Sequence, residues 1–308
     1  MDEPPSIIFI VPYRDRVEHK YFFSEYMNNV VMADHVKNKD YAIYFVEQKD
    51  TRPFNRGAMK NIGFLAIKYK YPLHYRDITF VFNDVDTIPY KKNILNYTTQ
   101  HGTIKHFYGF TFALGGIFSI TGADFERISG FPNFWGWGCE DNCIYDRAIQ
   151  NGIYVDRSTF FKIGDMNILQ VYDGSMRNIC RKEAYLTKFN SVTESLFTIK
   201  NLKFDYNNNV TNNGDSGVDV HHFDIQTDAS SIRIESQNII TNTKIDITPL
   251  VKETFGLNLP TMKKSQSQSQ SQSQSQSQIQ MPMTPLNFRN RNAHARVYMM
   301  KNAFSKSS

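Results

Sequence analysis

At 308 residues with 41% hydrophobic and 14% aromatic content, the chain can bury a substantial core, which excludes a wholly disordered polymer, a collagen-like fibre and a disulfide mini-protein. Thirty-five Lys and Arg against 30 Asp and Glu give +5, but seven of the basic residues and no acidic one fall between Thr261 and Ser308, so residues 1–260 carry −2. Net charge therefore gives no support to nucleic-acid binding by the main body.

Ile7 to Val11 is a fully apolar, β-branched run ended by Pro12 and reads as a buried strand. Phe23, Tyr26, Met27, Val30 and Val31 then follow the spacing of an amphipathic helix. Tyr41 to Val46 reads as a second strand. Ala58, Ile62, Leu65, Ala66 and Tyr69 repeat the helical spacing until Pro72, and Ile78 to Phe82 reads as a third strand. Such βαβαβ alternation predicts a parallel sheet covered by helices, with ligands beyond the carboxyl ends of the strands. After Pro89 the pattern turns Gly-rich and aromatic. A further helix is predicted from about Cys139 to Asn151, stopped by Gly152.

The last 48 residues of the chain differ in kind. Residues 261–280 contain seven Ser-Gln repeats (Ser265 to Gln278) and read as a low-complexity linker, and 281–308 as a basic, disordered tail, which leaves 1–260 for one catalytic-sized domain. Three cysteines (Cys139, Cys143, Cys180) without a CxxC pair indicate neither a disulfide framework nor a zinc ribbon. No secretory signal or bilayer-spanning run is visible, so the expectation is a protein without a membrane anchor, and the Asn96 and Asn209 sequons read as chance matches.

The three strand ends carry the polar residues from which chemistry is expected. They are Arg14 and Arg16 after the first strand, Arg56 after the second, and Asp84 and Asp86 after the third. Guanidinium groups can hold phosphate oxygens bidentately. Two carboxylates flanking one strand residue point to the same side, where they can share a hard divalent cation. Taken alone, each arginine is a surface residue and each Asp a turn former; together they point to a diphosphate site. A second cluster is Gly130 to Asp141, which holds both tryptophans, Trp135 and Trp137, followed by Glu140 and Asp141 at a helix start. Flat rings suit sugar faces, and an ionised Asp beside them can act as general base on a hydroxyl. Plain core packing is the competing expectation for the tryptophans.

Phe9 to Arg16, Phe54 to Gly57 with Asn61 to Phe64, Phe80 to Asp86, Gly115-Gly116 and Gly130 to Asp141 occur in an order and spacing that resemble the β-1,4-galactosyltransferase family. The resemblance runs from about Ile7 to Val155 and fades towards Ile225. It implies an α/β GT-A (nucleotide-diphospho-sugar transferase) fold with a mostly parallel central sheet flanked by helices. The implied activity is inverting transfer of a hexose or N-acetylhexosamine from a UDP-sugar to a hydroxyl of a glycan or glycoprotein acceptor. Pro12, Arg14, Arg16, Phe54, Arg56, Asp84, Gly116 and Trp137 fall on donor-binding positions, Trp137, Glu140 and Asp141 on acceptor-binding positions, Glu140 and Asp141 on catalytic ones, and Asp86 on the ligand of Mn2+ or another divalent cation.

The sequence also departs from the family. No histidine occurs between Asp165 and Asp173, where members complete the metal site, leaving Asp165, Met166 or Asp173, or His221 or His222 from a later strand, as candidate further ligands. Ala113 stands where galactose-transferring members carry a tyrosine, which implies room for a donor sugar larger than galactose. The family's secretory anchor and disulfides are missing, which implies a cytoplasmic, non-Golgi enzyme, such as a viral protein acting in a host cell. A sugar- or nucleotide-binding protein without turnover is the alternative that the missing histidine keeps open. A nucleotide-sugar pyrophosphorylase would need a glycine-rich loop that Ile7 to Arg16 lacks.

Overall fold

The computed structural model describes residues 3–35, 40–136, 138–171, 176–179, 194–226 and 235–238. The expected boundary at residue 260, the Ser-Gln linker and the basic tail lie outside them. The chain opens with β1 (Ile7–Tyr13), α1 (Val17–Tyr26), β2 (Tyr41–Gln48), α2 (Arg56–Lys70) and β3 (Thr79–Asn83), the five elements expected from periodicity. β1 continues through Pro12 instead of stopping there. It pairs with β3 only as far as Ile10, so Pro12 sits where the strand has a single neighbour and its missing N–H is tolerated.

α1 passes into a π-helical turn, Met27–Val31. Asn28 Nδ2 donates to the Ser24 carbonyl at 2.9 Å, the group that a regular α-helix reserves for the N–H of residue 28, and the ladder widens around this insertion. α2 begins at Asn55, whose side chain accepts from Ala58 N at 2.9 Å as an N-cap. Gly57 lies so close to the Phe131–Pro132 segment that an added Cβ would stand 2.1 Å from the Pro132 carbonyl oxygen.

After β3 come β4 (Thr87–Pro89), β5 (Thr103–Gly109), β6 (Ile117–Thr121), α3 (Gly122–Arg127), α4 (Glu140–Gln150), β7 (Tyr154–Asp156), β8 (Phe161–Lys162), β9 (Ile168–Gln170), β10 (Met176–Ile179), β11 (Lys200–Asn207), β12 (Ser216–Asp224) and β13 (Glu235–Asn238). The main sheet runs β11-β12-β2-β1-β3-β6-β5-β7, with β8 also on β5. β12, β2, β1 and β3 are mutually parallel, whereas β6 is antiparallel to β3 and β5. Two small pairs, β4 with β9 and β10 with β13, stand apart from it.

Alternation along β1 divides the core. Ile8 and Ile10 join the α2 side with Phe64, Phe80, Phe82, Phe118, Phe125 and Phe131, while Phe9 and Val11 join the α1 side with Phe23, Met27 and Phe45. With β2 on one side of β1 and β3 on the other, the order reverses beside β1. A sheet of this kind opens a crevice at that point, beyond the carboxyl ends of its strands.

Candidate active site

The site is built from the ends of β1, β2 and β3, the first turn of α2, the loop before β6 and the start of α4. Three asparagines fix its floor. Asn61 donates to the Phe131 carbonyl at 2.8 Å and accepts from Phe131 N at 2.9 Å. Asn133 accepts from Asn61, its carbonyl accepts from Asn55, and its own amide donates to the Ser195 carbonyl. All three are fully buried, so these hydrogen bonds hold the run that leads to Glu140 rigidly against α2.

Arg56 is the centre of the site. Its Nη2 lies 2.5 and 2.6 Å from the two oxygens of Asp84, and its Nε 3.2 Å from Oδ1. Nη1 lies 3.1 and 3.0 Å from Asp141 Oδ1 and Oδ2 and also pairs with Glu140. Burial opposes the charged form of this 8%-exposed residue, but Asp141, Asp84 and Glu140 outweigh it and raise its pKa well above the ordinary arginine value. The guanidinium is thus bound to carboxylates, with three anions within hydrogen-bond reach of its donors. Arg14 is likewise turned to protein, donating to the carbonyls of Asp50 and Arg52 at 2.5 Å each. Arg16 faces Asp86 at 3.4 Å.

Asp84-Val85-Asp86 forms a turn between β3 and β4, closed by Thr87 N to the Asp84 carbonyl at 3.1 Å. Strand alternation therefore does not align the two carboxylates. Asp84 goes to Arg56, whereas Asp86 goes to Arg16 and accepts from the Thr87 hydroxyl at 3.0 Å. Of the expected nucleotide-side residues, Pro12 is buried on β1 and Phe54 is half-buried against the core.

Glu140 and Asp141 open α4. Glu140 is turned inward, with Oε1 on Arg56 and Oε2 accepting from Gly138 N at 2.9 Å, so it braces this turn. The Asp141 carbonyl accepts from Leu114 N at 2.8 Å, and an added Cβ on Gly115 would stand 2.6 Å from Asp141 Oδ2. Gly116 has φ +70°, and its carbonyl accepts from Asp84 N at 3.1 Å, which ties the same loop to the end of β3. Ala113 is buried. Trp135 is 1% exposed and stacks on Phe223 at 5.5 Å, with the Arg52 guanidinium 4.8 Å from its ring centre; core packing, not a sugar platform, accounts for it. Trp137 lies outside the described residues.

The expected extra metal ligands do not gather at Asp86. His221 pairs with Asp205 at 3.0 Å and His222 with Asp224 at 3.2 Å on the β11–β12 hairpin. Asp165 caps Asn167, Met166 is 89% exposed, and Asp173 lies outside the described residues. Among the described residues no group of three or more His, Cys, Asp or Glu side chains is placed to hold a metal ion. The donor set fits a cation held by one carboxylate and shared with substrate phosphates, as hard divalent ions often are, rather than a protein cage. Burial pushes the Cys143 thiol well above its ordinary pKa, so it is no ready metal ligand.

Two residues of the site were not singled out from sequence. Lys60 has its ammonium 3.4 Å from Asp141 Oδ1 and 3.7 Å from Asp84 Oδ1. The available signal was a second cation one helical turn after Arg56 on an otherwise apolar stretch. His106 on β5 is fully buried, with Nε2 3.0 Å from the Tyr108 carbonyl and 3.1 Å from the Gly115 carbonyl, while Nδ1 accepts from Arg157 Nε at 3.1 Å. A single His in a short strand offered no signal.

Burial, with the Arg157 charge second, lowers the His106 pKa from 6.5 to about 4. The unfolded chain then takes up a proton near pH 6.5 that the folded chain refuses until pH 4. This stabilisation is complete above pH 6.5 and is lost as pH falls towards 4, to a total on the order of 3 kcal/mol. Urea unfolding of wild type and His106→Gln between pH 7 and 4 is expected to show the wild type losing more stability over that window. Parallel curves would contradict it.

Two adjoining family models match the chain: the N-terminal region of glycosyl transferase group 7 over residues 4–99, and the N-terminal domain of galactosyltransferase over residues 102–170. β-1,4-galactosyltransferase 1 of Mus musculus is 32% identical over 163 residues, covering 50% of this chain and 39% of that protein. The Homo sapiens protein of the same name is 32% identical over 166 residues with the same coverage. The chain thus spans less than half the length of these relatives. A solved structure of the catalytic domain of Drosophila β1,4-galactosyltransferase 7 in complex with xylobiose matches with TM-score 0.57 and 19% identity, over 74% of this chain and 97% of that one. A mutant of the same Drosophila protein, in complex with manganese, UDP-Gal and xylobiose, matches with TM-score 0.55 and 18% identity over the same shares of the two chains. The fold is the expected GT-A architecture.

The expectation of a cytoplasmic, non-Golgi protein is withdrawn, because the matched relatives are β-1,4-galactosyltransferases of Mus musculus and Homo sapiens. No helix among the described residues is long and apolar enough to cross a membrane, which by itself assigns no compartment. Two consecutive domain models spanning residues 4–170, more than half of the sequence and inclusive of every residue gathered around Arg56, establish that the chain belongs to the β-1,4-galactosyltransferase family, glycosyl transferase group 7.

Proposed function

We propose that this protein is an inverting glycosyltransferase that moves a hexose or N-acetylhexosamine from a UDP-sugar to a hydroxyl of a glycan or glycoprotein acceptor. One observation carries the reading: Asp84 from the end of β3 and Asp141 from the start of α4 meet on a single buried guanidinium, beyond the carboxyl ends of the parallel strands. This supports a donor bound at the end of β3 next to Asp141 as the base.

In this reading the donor lies along the ends of β1 and β3, with Pro12 and Phe54 on the nucleotide side and Arg16 beside the diphosphate. Asp86 is the carboxylate that would hold a divalent cation such as Mn2+. When bound, the cation supplies positive charge to the departing diphosphate. Asp141 accepts the proton of the acceptor hydroxyl as its oxygen bonds to the anomeric carbon. The bond from that carbon to the β-phosphate oxygen breaks, its electron pair leaving with UDP, so the sugar inverts. Arg56 holds Asp141 and Asp84 in register, and Glu140 locks the backbone before α4. Because these groups are fixed before substrate arrives, little reorganisation remains for the reaction itself.

The test is UDP release from a panel of UDP-sugars with Mn2+, with and without simple sugar acceptors. Release that depends on both one UDP-sugar and an acceptor is expected. No acceptor-dependent release from any UDP-sugar would favour a sugar- or nucleotide-binding protein instead.

A further inference from the structure

Helix α2 carries a second buried cation that the reading above leaves without a task. Lys60 is 1% exposed, and its helix neighbours Met59, Ile62 and Phe64 are buried and apolar. A methionine there would fill similar space and avoid the desolvation of an ammonium group. What offsets that cost is the company of Lys60: Asp141 Oδ1 at 3.4 Å, Asp84 Oδ1 at 3.7 Å and the Phe131 ring face at 4.6 Å.

The two cations of α2 hold Asp141 differently. Arg56 reaches both oxygens through one nitrogen that it shares with Glu140, whereas Lys60 lies against Oδ1. Oδ2 packs against the Gly115 backbone, so close that an added Cβ there would stand 2.6 Å from it. The charged groups around this carboxylate are Arg56 and Lys60 from α2, Asp84 from the turn after β3 and Glu140 from α4 itself. With Arg56 alone the three carboxylates would keep a charge of −2; Lys60 reduces it to −1.

We propose that Lys60 is a positioning residue for Asp141, holding the carboxylate through Oδ1 in the orientation in which it takes the acceptor proton. The inference rests on the transferase reading and on Asp141 as its base. Lys60→Met keeps the length and removes the charge, Lys60→Arg keeps the charge, and each is compared in the wild-type and Asp141→Asn backgrounds. Lys60→Met is expected to lower kcat on the order of 10- to 100-fold with donor KM within about 3-fold. Lys60→Arg should recover most of that loss. In the Asp141→Asn background Lys60→Met should cost less than about 2-fold more, because the two residues act as one unit.

A kcat for Lys60→Met within about 2-fold of wild type, or an equal loss in both backgrounds, would overturn the proposal. If Lys60→Met does not fold, Lys60→Gln takes its place against Lys60→Arg, with the same two outcomes. Wild-type protein that turns over no UDP-sugar would remove the transferase reading and this inference together. A turning-over wild type with indifferent Lys60 variants would remove this inference alone.

Discussion

Asp141→Asn is expected to lower kcat by about 100- to 10,000-fold, the range that a positioned general base contributes. The amide has nearly the shape of the carboxylate, so Leu114 N keeps its partner, the Asp141 carbonyl, and α4 keeps its start. What is lost is an oxygen able to accept the hydroxyl proton. Donor affinity should change far less than turnover, because in this reading the UDP moiety lies along β1 and β3. The measurement is UDP release at saturating donor and acceptor beside equilibrium titration with UDP. A variant within a few-fold of wild type in kcat would remove Asp141 from its role.

Arg56→Met should be the most damaging single change to the fold of the site. It leaves Asp84, Glu140 and Asp141, whose side chains are 23%, 4% and 19% exposed, with Lys60 as the remaining cation of α2 beside them. Removing one partner of such a buried network costs on the order of 3–5 kcal/mol, most of it the burden of uncompensated charge. Urea unfolding at pH 7 measures it. Stability within about 1 kcal/mol of wild type would show that water already screens the cluster, as it does exposed pairs.

Much of the scaffold was legible because its signals are local. Ile7 to Val11, the stripe through Ala58, Ile62 and Ala66, and Pro72 as a stop fix β1 and α2 by period and punctuation alone. Strands β5 and β6 were not, because their pairing is non-local. β5 carries His106 among apolar residues and shifts register between His106 and Tyr108, so neither period emerges from the sequence. The Asp84 to Asp86 error has the same origin. Strand and turn differ there by where β3 stops, and it stops at Asn83, three residues short of Asp86, to which alternation would have to run to align the carboxylates.

At the site, residue identity was easier to read than residue partnership. Arg14, Arg16, Arg56, Asp84, Asp86, Glu140 and Asp141 all stand at strand or helix ends around the expected crevice. Sequence indicates that Arg56 stands at a strand end, but not which carboxylates reach it. Here α4 delivers Glu140 and Asp141 from 84 and 85 residues away. His221 and His222 illustrate the converse: residue types suited to a metal were drawn to Asp205 and Asp224 on their own hairpin. Lys60 was hidden by its position on an apolar helix face, where a lysine ordinarily reads as a boundary residue.

The most direct test of a single displacement assisted by Asp141 is the anomeric configuration of the first-formed product, followed by proton NMR with the donor that supports turnover. One base and one attacking hydroxyl predict a product opposite in configuration to the donor sugar. A product that retains the donor's configuration would contradict the account.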